Sequence, residues 1–323
     1  MRSSTSNSEP RVGARIATVG AVFALVLVAG TFLLDAVFHK QEYQALAVKA
    51  LTPDKELLAL GSSRVIFGFD PRSYAVPAVS LPANYLDLVH ARQLFSMHGE
   101  KLPKLRVALI EFDVSTLRYD TDVMNPNGLF DLGYSNVPAW SEWFSGFDHA
   151  LHKLLAPVFN WRLTPSFYAL EKRATSGLEP LAAVPGHIPS RIALAVPEFY
   201  AENEVRSTAG ELEKAEAGVY AANLAAGAAL VESLRARGVT PILLRFPHEP
   251  SLRKIYPPEW QDFVAKAYQD LGARLGGGAP PLWDLSGEER FTTEHFRDPD
   301  HLNQSGAELL AAILAPKLAP LLN

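Results

Sequence analysis

Two short stretches of this chain combine residue types that could perform nucleophilic catalysis, and they lie near its opposite ends. Gly61-Ser62-Ser63-Arg64 offers a hydroxyl on a tight turn, and Asp298-Pro299-Asp300-His301 offers an imidazole with a carboxylate three residues before it. A serine hydroxyl is a weak nucleophile at neutral pH and needs a base within hydrogen-bond reach. His301 can take its proton, while Asp298 can hold the imidazole in the right tautomer and stabilise the imidazolium. A short turn brings positions i and i+3 together, and Pro299 stiffens this one. Each motif alone is ordinary. Small residues crowd into turns, and polar residues ahead of a helix usually cap it, as Asn303 and Ser305 would here. The pair gains meaning only if the fold brings both to one place.

The surrounding elements are of the kind that would. Apolar runs at 56–60, 106–112, 241–246 and 281–285 read as buried strands. Helical periodicity marks 85–97, a long stretch from about 209 to 237, and 304–322; Gly238 is placed to end the second of these in a left-handed conformation. Strands alternating with helices predict an α/β fold, a three-layer flavodoxin-like sandwich on a mostly parallel sheet. Ligands bind such sheets beyond the carboxyl ends of the strands. Ser63 follows the first strand and His301 stands in the last loop before the terminal helix, so both fall on that edge. Residues 118–205 break the rhythm. They are rich in Pro, Asn, Gly and aromatics and read as an insertion or lid, whose Trp140, Trp143 and Trp161 are either buried or stack on sugar rings.

Composition bounds the function. A chain of 323 residues, 48% of them apolar, can bury a full core. A net charge of -5 without a basic stripe argues against nucleic acid as a ligand. Cysteine is absent, which removes disulfides, thiolate zinc sites and a thiol nucleophile. A calcium loop counted from Asp298 fails, because its fifth and sixth positions are Leu302 and Asn303. His248, His295 and His301 lack metal-ligand spacing, so no metal or cofactor is expected.

The N-terminus predicts a membrane anchor. Residues 1–15 are polar and carry Arg2, Arg11 and Arg15, whereas 16–34 hold no charge. A run of roughly 20 apolar residues spans a bilayer as a helix. The organisation expected is a cytoplasmic stretch at 1–15, a transmembrane anchor at 16–38, a neck at 39–55 and one domain at 56–323. The arginines before the span leave the short N-terminus inside and export the rest. A cleaved signal peptide is the rival reading, but its apolar region is shorter, and the nearest small-x-small tripeptide, Ala45-Leu46-Ala47, lies well beyond the span.

The G-x-S turn and the late D-x-x-H resemble the first and last blocks of SGNH/GDSL hydrolases. The fuller stretches LALGSSRVIFGFDP and FRDPDHLNQSGAELL resemble the membrane-anchored cell-envelope branch, similar to teichoic acid D-alanyl-transfer and exopolysaccharide O-acetylation proteins. That resemblance implies Ser63 as nucleophile, with Ser62 as runner-up, and Asp298 and His301 as its relay. It implies acyl-ester chemistry on an envelope polysaccharide: O-acetyl transfer through a serine acyl-enzyme, with a polytopic membrane acyltransferase as acyl donor. It also implies a single-pass protein of the cytoplasmic (inner) membrane with a periplasmic domain. An esterase using the same triad and a non-catalytic scaffold of a polysaccharide complex are the alternatives. Two family features are altered. The second block corresponds to Ser80-Leu-Pro-Ala83-Asn84, where the Ala83 N–H and the Asn84 side chain would donate to an oxyanion. The strand beginning at Arg106 ends at Glu111-Phe112-Asp113 where the family has asparagine, and an ionised Asp113 can only accept hydrogen bonds. The hole is therefore incomplete on paper. Arg64 either orients an anionic substrate group or forms a structural ion pair; His248 either lines the pocket or is a plain loop residue. Asp300 reads as a solvated or capping residue.

Overall fold

A computed structural model describes residues 43–121, 184–190, 194, 196–213 and 218–322. The expected anchor at 16–38 and the three tryptophans of the insertion lie outside those residues. Five strands form one sheet: β1 (Leu57–Gly61), β2 (Ala78–Pro82), β3 (Val107–Glu111), β4 (Thr240–Arg245) and β5 (Leu282–Asp284). Their order is β2-β1-β3-β4-β5 and every pairing is parallel, which is the flavodoxin-like winding.

Period-two alternation along the strands divides the core into two layers. Leu58, Leu60, Val79, Leu81, Ala108 and Ile110 face one cluster, and Leu57, Ala59, Val107, Leu109, Ile242 and Leu244 face the other. The first cluster is covered by α1 (Tyr43–Lys49) through Ala47 and by α3 (Leu88–His98) through Ala91, Leu94 and Phe95. The short α4 (Val114–Arg118) adds Leu117, and α5 (Pro197–Glu213) lies further out. Completing that layer are α6 (Val219–Ala236) through Leu224, Val231 and Leu234, and α8 (Pro258–Arg274) through Val264, Ala267 and Leu271. The second cluster is covered by α2 (Ser63–Gly68) through Val65 and by α9 (Gln304–Leu322) through Leu310, Ile313, Leu314 and Leu318. A six-residue helix, α7 (Pro250–Ile255), joins α5 in a small satellite cluster of Ala201, Leu252 and Tyr256.

Several elements differ from the sequence expectation. The segment matched to the second block, for which the sequence predicts no strand, begins inside strand β2, which ends at Pro82. It lies at the sheet edge, where the terminal Pro82 removes no needed ladder donor. The helix expected from about 209 to 237 is two helices. Before α6 stands Gly218 at φ 102°, a backbone state glycine adopts without steric penalty, and α5 runs back to Pro197 inside the expected insertion. Gly238, at φ 74°, ends α6 in the left-handed region as expected. Among the described residues α9 is the one helix long and apolar enough to cross a membrane, but its leucine face is buried against the sheet.

Candidate active site

Order reverses in the sheet between β1 and β3, and it is beyond the strand ends at such a point that sheets of this kind bind ligands. Ser63 sits at that point. β1 ends at Gly61, and the chain turns at once into α2 with Ser62 as its N-cap. Gly61 is required by close approach: a Cβ there would lie 2.5 Å from Glu111 Oε2 and 2.5 Å from Val65 Cγ2. Both Ser62 donors are held by Glu111 from the end of β3. The backbone N–H donates to Oε2 at 2.6 Å and the hydroxyl to Oε1 at 2.9 Å. Ser62 is thus a buried structural residue, and the hydroxyl free to turn outward is Ser63. Its Oγ lies 2.7 Å from His301 Nε2.

The relay comes from a two-stranded antiparallel hairpin, β6 (Phe296–Asp298) and β7 (His301–Leu302), in which Asp298 pairs with His301 across a turn of Pro299 and Asp300. Asp298 Oδ1 organises this turn. It accepts from the Asp300 N–H at 3.2 Å, the His301 N–H at 2.9 Å and His301 Nδ1 at 2.7 Å. With Nδ1–H donating to the carboxylate, Nε2 is left to accept the Ser63 proton. Burial disfavours the imidazolium, but the hydrogen bond to Asp298 and the charges of Asp298 and Asp300 outweigh it and hold His301 above its ordinary value. Phe67 meets the imidazole edge-on at 5.1 Å, and Arg297 covers Phe67 while lying 3.4 Å from Asp298 Oδ2. The hairpin in turn rests on α9. The Asn303 side chain accepts the Gly306 N–H at 3.1 Å, and a Cβ at Gly306 would collide with the His295 carbonyl.

Beneath Ser63 lies a buried charge network that joins the start of α2 to the β6–β7 turn and the end of β3. Arg64 Nε donates to Asp300 at 2.8 Å, and Nη1 lies 3.1 Å from Asp113, 3.1 Å from Ser115 Oγ and 3.4 Å from Glu111. Asp113 caps α4 through the Val114 N–H and also meets Arg245, His248 and the Tyr256 hydroxyl at 3.5, 3.6 and 3.3 Å. Burial acts to raise Asp113, but Arg245 and Arg64 overcome it and keep the carboxyl well below its usual range. Glu111 goes the other way: burial dominates the opposing charge of Arg64 and pushes it up. Asp300, read from the sequence as solvated or capping, is instead clamped to Arg64 with its side chain 11% exposed. Of the two readings of Arg64, the structural ion pair is the one present.

The remaining sequence candidates are Ala83, Asn84 and His248. The Ala83 N–H donates to the Gly61 carbonyl at 3.2 Å as a continuation of the β1–β2 ladder, and Asn84 is exposed. His248 is 1% exposed, stacked at 4.6 Å on Tyr256 and turned toward Asp113. It also borders an open polar recess of about 510 Å³ with Arg253, Gln261 and Asp284, none of which belongs to the triad. One backbone donor beside the Ser63 hydroxyl is uncommitted. The N–H groups of Arg64, Val65 and Ile66 all point to Ser62 oxygens, whereas that of Ser63 has no acceptor among the described residues. The chain matches no protein-family model and no curated protein. Chemically, the arrangement can activate a hydroxyl, stabilise the resulting imidazolium and offer at least one backbone donor to a developing oxyanion.

Sequence reasoning passed over Glu204. It projects from α5 into a recess shared with Arg64, Ser115, Thr208, Tyr256 and Asp300. Nothing in the local sequence marks it, since α5 is polar and carries no catalytic motif.

Proposed function

We propose that this chain is a membrane-anchored SGNH-type serine acyltransferase of the cell envelope, acting on a polysaccharide hydroxyl outside the cytoplasm. The observation that carries the reading is the continuous hydrogen-bonded path Ser63–His301–Asp298, with 2.7 Å at each step. Ser63 Oγ attacks the acyl carbonyl of an ester donor as its proton passes to His301 Nε2. Asp298 stabilises the imidazolium. Collapse of the tetrahedral species returns that proton to the departing alcohol and leaves an ester on Ser63. In the second half, His301 takes the proton of a glycan hydroxyl, which attacks the ester, and Ser63 recovers its proton as it leaves. Water in place of the glycan makes the same site an esterase. The residues need no metal or cofactor for these steps. The anchor expected at 16–38 and the resemblance to envelope O-acetylation proteins favour transfer, with a polytopic membrane acyltransferase supplying the acyl group.

A non-catalytic scaffold is the second reading, favoured by the engagement of the Ala83 N–H with Gly61. Fluorophosphonate labelling of the full-length protein separates the two. The enzyme reading expects labelling that disappears in Ser63→Ala; a folded wild type that never labels supports the scaffold. Supplying an acyl ester with and without oligosaccharide then separates transfer from hydrolysis. Acylated sugar is the expected product, and free acid alone at every acceptor concentration would leave only the esterase.

A further inference from the structure

Resting on the acyltransferase reading, we propose that the polar recess beyond the ends of β4 and β5 is a subsite for the acceptor glycan. It holds an uncharged sugar residue while another residue of the same chain is acylated at Ser63. The recess has a volume of about 510 Å³. Its wall comes from separate parts of the fold: His248 from the loop after β4, Arg253 from α7, Gln261 from the first turns of α8, and Asp284, Gly287 and Glu288 from the end of β5 and the loop behind it. A concave space on which polar groups converge from several elements is the usual form of a binding site.

Its position relative to the triad fits a polymer. Arg245 and Asp284 are register partners at the carboxyl ends of β4 and β5, so the recess lies on the same edge of the sheet as Ser63, which follows β1. Two to three strand spacings, about 10–14 Å, separate the two places. The backbone links them. The His248 N–H donates to the Ser286 carbonyl at 3.4 Å, and the next N–H, that of Glu249, donates to the Pro299 carbonyl at 3.2 Å, in the turn between Asp298 and His301. A sugar in the recess is therefore not the one that reacts. Only a chain of sugars reaches both places.

The lining chemistry selects the kind of chain. Asp284 and Glu288 accept hydrogen bonds, Arg253 donates them, and the Gln261 amide and Ser286 hydroxyl do both. The two carboxylates already have arginines of their own, Arg245 and Arg290, each at 2.9 Å. Arg253 is fixed by the Gly287 and Phe291 carbonyls at 3.3 and 3.1 Å. No field of one sign faces the recess: a polyanion meets two carboxylates, and a polycation meets Arg253. Sugar hydroxyls, which donate and accept, suit this mixture. Two buried polar atoms beside the wall also lack a protein partner. One is Nε of Arg245, whose Nη1 holds Gln261 and Asp284 at 3.3 and 2.9 Å; the other is Nε2 of His248, with Asp113 beyond hydrogen-bond reach at 3.6 Å. Buried groups of this kind call for a partner from outside the chain.

The test uses the full-length protein with cellohexaose, chitohexaose and mannohexaose as neutral probes, their monosaccharides as short controls and hexagalacturonate as the anionic control. A neutral hexasaccharide should bind by calorimetry and accept acetyl groups from 4-nitrophenyl acetate, while its monosaccharide and hexagalacturonate do neither. Gln261→Ala should raise Kd and KM for that hexasaccharide on the order of tenfold with kcat kept. Gly287→Trp should abolish binding: a Cβ there meets nothing within 4 Å, so the fold can carry the side chain, which fills the recess. Fluorophosphonate labelling of Ser63 reports the triad in each variant. No binding of any neutral hexasaccharide to a protein that labels, or binding that both variants leave unchanged, overturns the subsite and leaves the triad reading standing. A wild type that never labels defeats the acyltransferase reading, and the acceptor role with it, whatever calorimetry shows.

Discussion

At the residue scale the site is one hydroxyl, one imidazole and one carboxylate held by contacts that each have a local cause. Asp298 is fixed by two backbone N–H groups before it touches the imidazole ring, so its orientation does not depend on substrate. His301 must be neutral to accept the Ser63 proton, and its value lies above the ordinary 6.5. Activity should therefore climb as pH rises through a midpoint above 6.5 and fall below it, as read from kcat/KM across pH 5 to about 9. Asp298→Asn removes the charge and disturbs the tautomer. It should lower kcat on the order of 10²–10⁴-fold and move that acid limb downward. Glu204 predicts a stability effect of its own. Its folded value is raised, so the fold loses stability as pH climbs from the ordinary carboxyl value of 4.5 toward about 7. Glu204→Gln should melt with the wild type near pH 4 and above it near pH 8; equal melting temperatures at both would show that its carboxyl is not disfavoured by the fold.

At the element scale, two positions carry the junction between strand and helix. Gly61→Ala forces a methyl against Glu111 and Val65 and should cost about 1–3 kcal/mol, measured by urea unfolding. Arg64→Ala strands the buried carboxylates of Asp113 and Asp300. A loss of about 3–5 kcal/mol is expected, and no destabilisation would mean that the network is not formed. These elements were unequally legible. β1, β3 and β4 appear in the sequence as short apolar runs because a parallel strand buried on both faces has little polar alternation, whereas β5 is an edge strand that stays partly exposed and ends on the exposed Asp284. β2 does not appear so, because Ser80 and Pro82 carry turn chemistry that edge position tolerates. The Val264, Ala267 and Leu271 spacing of α8 is visible but lies in a stretch crowded with charge. Glu111, Asp113 and Asp300 were not legible as partners of Arg64, since pairing across 47, 49 and 236 residues leaves no trace in local composition. Glu111 and Asp113 reach Arg64 because β3 lies beside β1, and Asp300 reaches it from the β6–β7 turn, neighbours that only the assembled fold supplies.

At the scale of the whole molecule, the two distant motifs meet because a parallel sheet sends every strand's carboxyl end to one edge. Ser63 follows the second-position strand and His301 the last hairpin, 238 residues apart, yet they are within hydrogen-bond reach. The N-terminal segment adds a prediction at this scale. The full chain should stay with membranes through alkaline carbonate extraction, and a chain lacking residues 1–38 should be released. Recovery of the full chain in the soluble fraction would remove the anchor while leaving the site untouched. The most direct measurement of the central claim is peptide-level mass spectrometry of the full-length protein after reaction with a fluorophosphonate. A single adduct on Ser63, formed far more slowly in His301→Gln, is the expected result; an adduct on Ser62, or rates indifferent to His301, would contradict it.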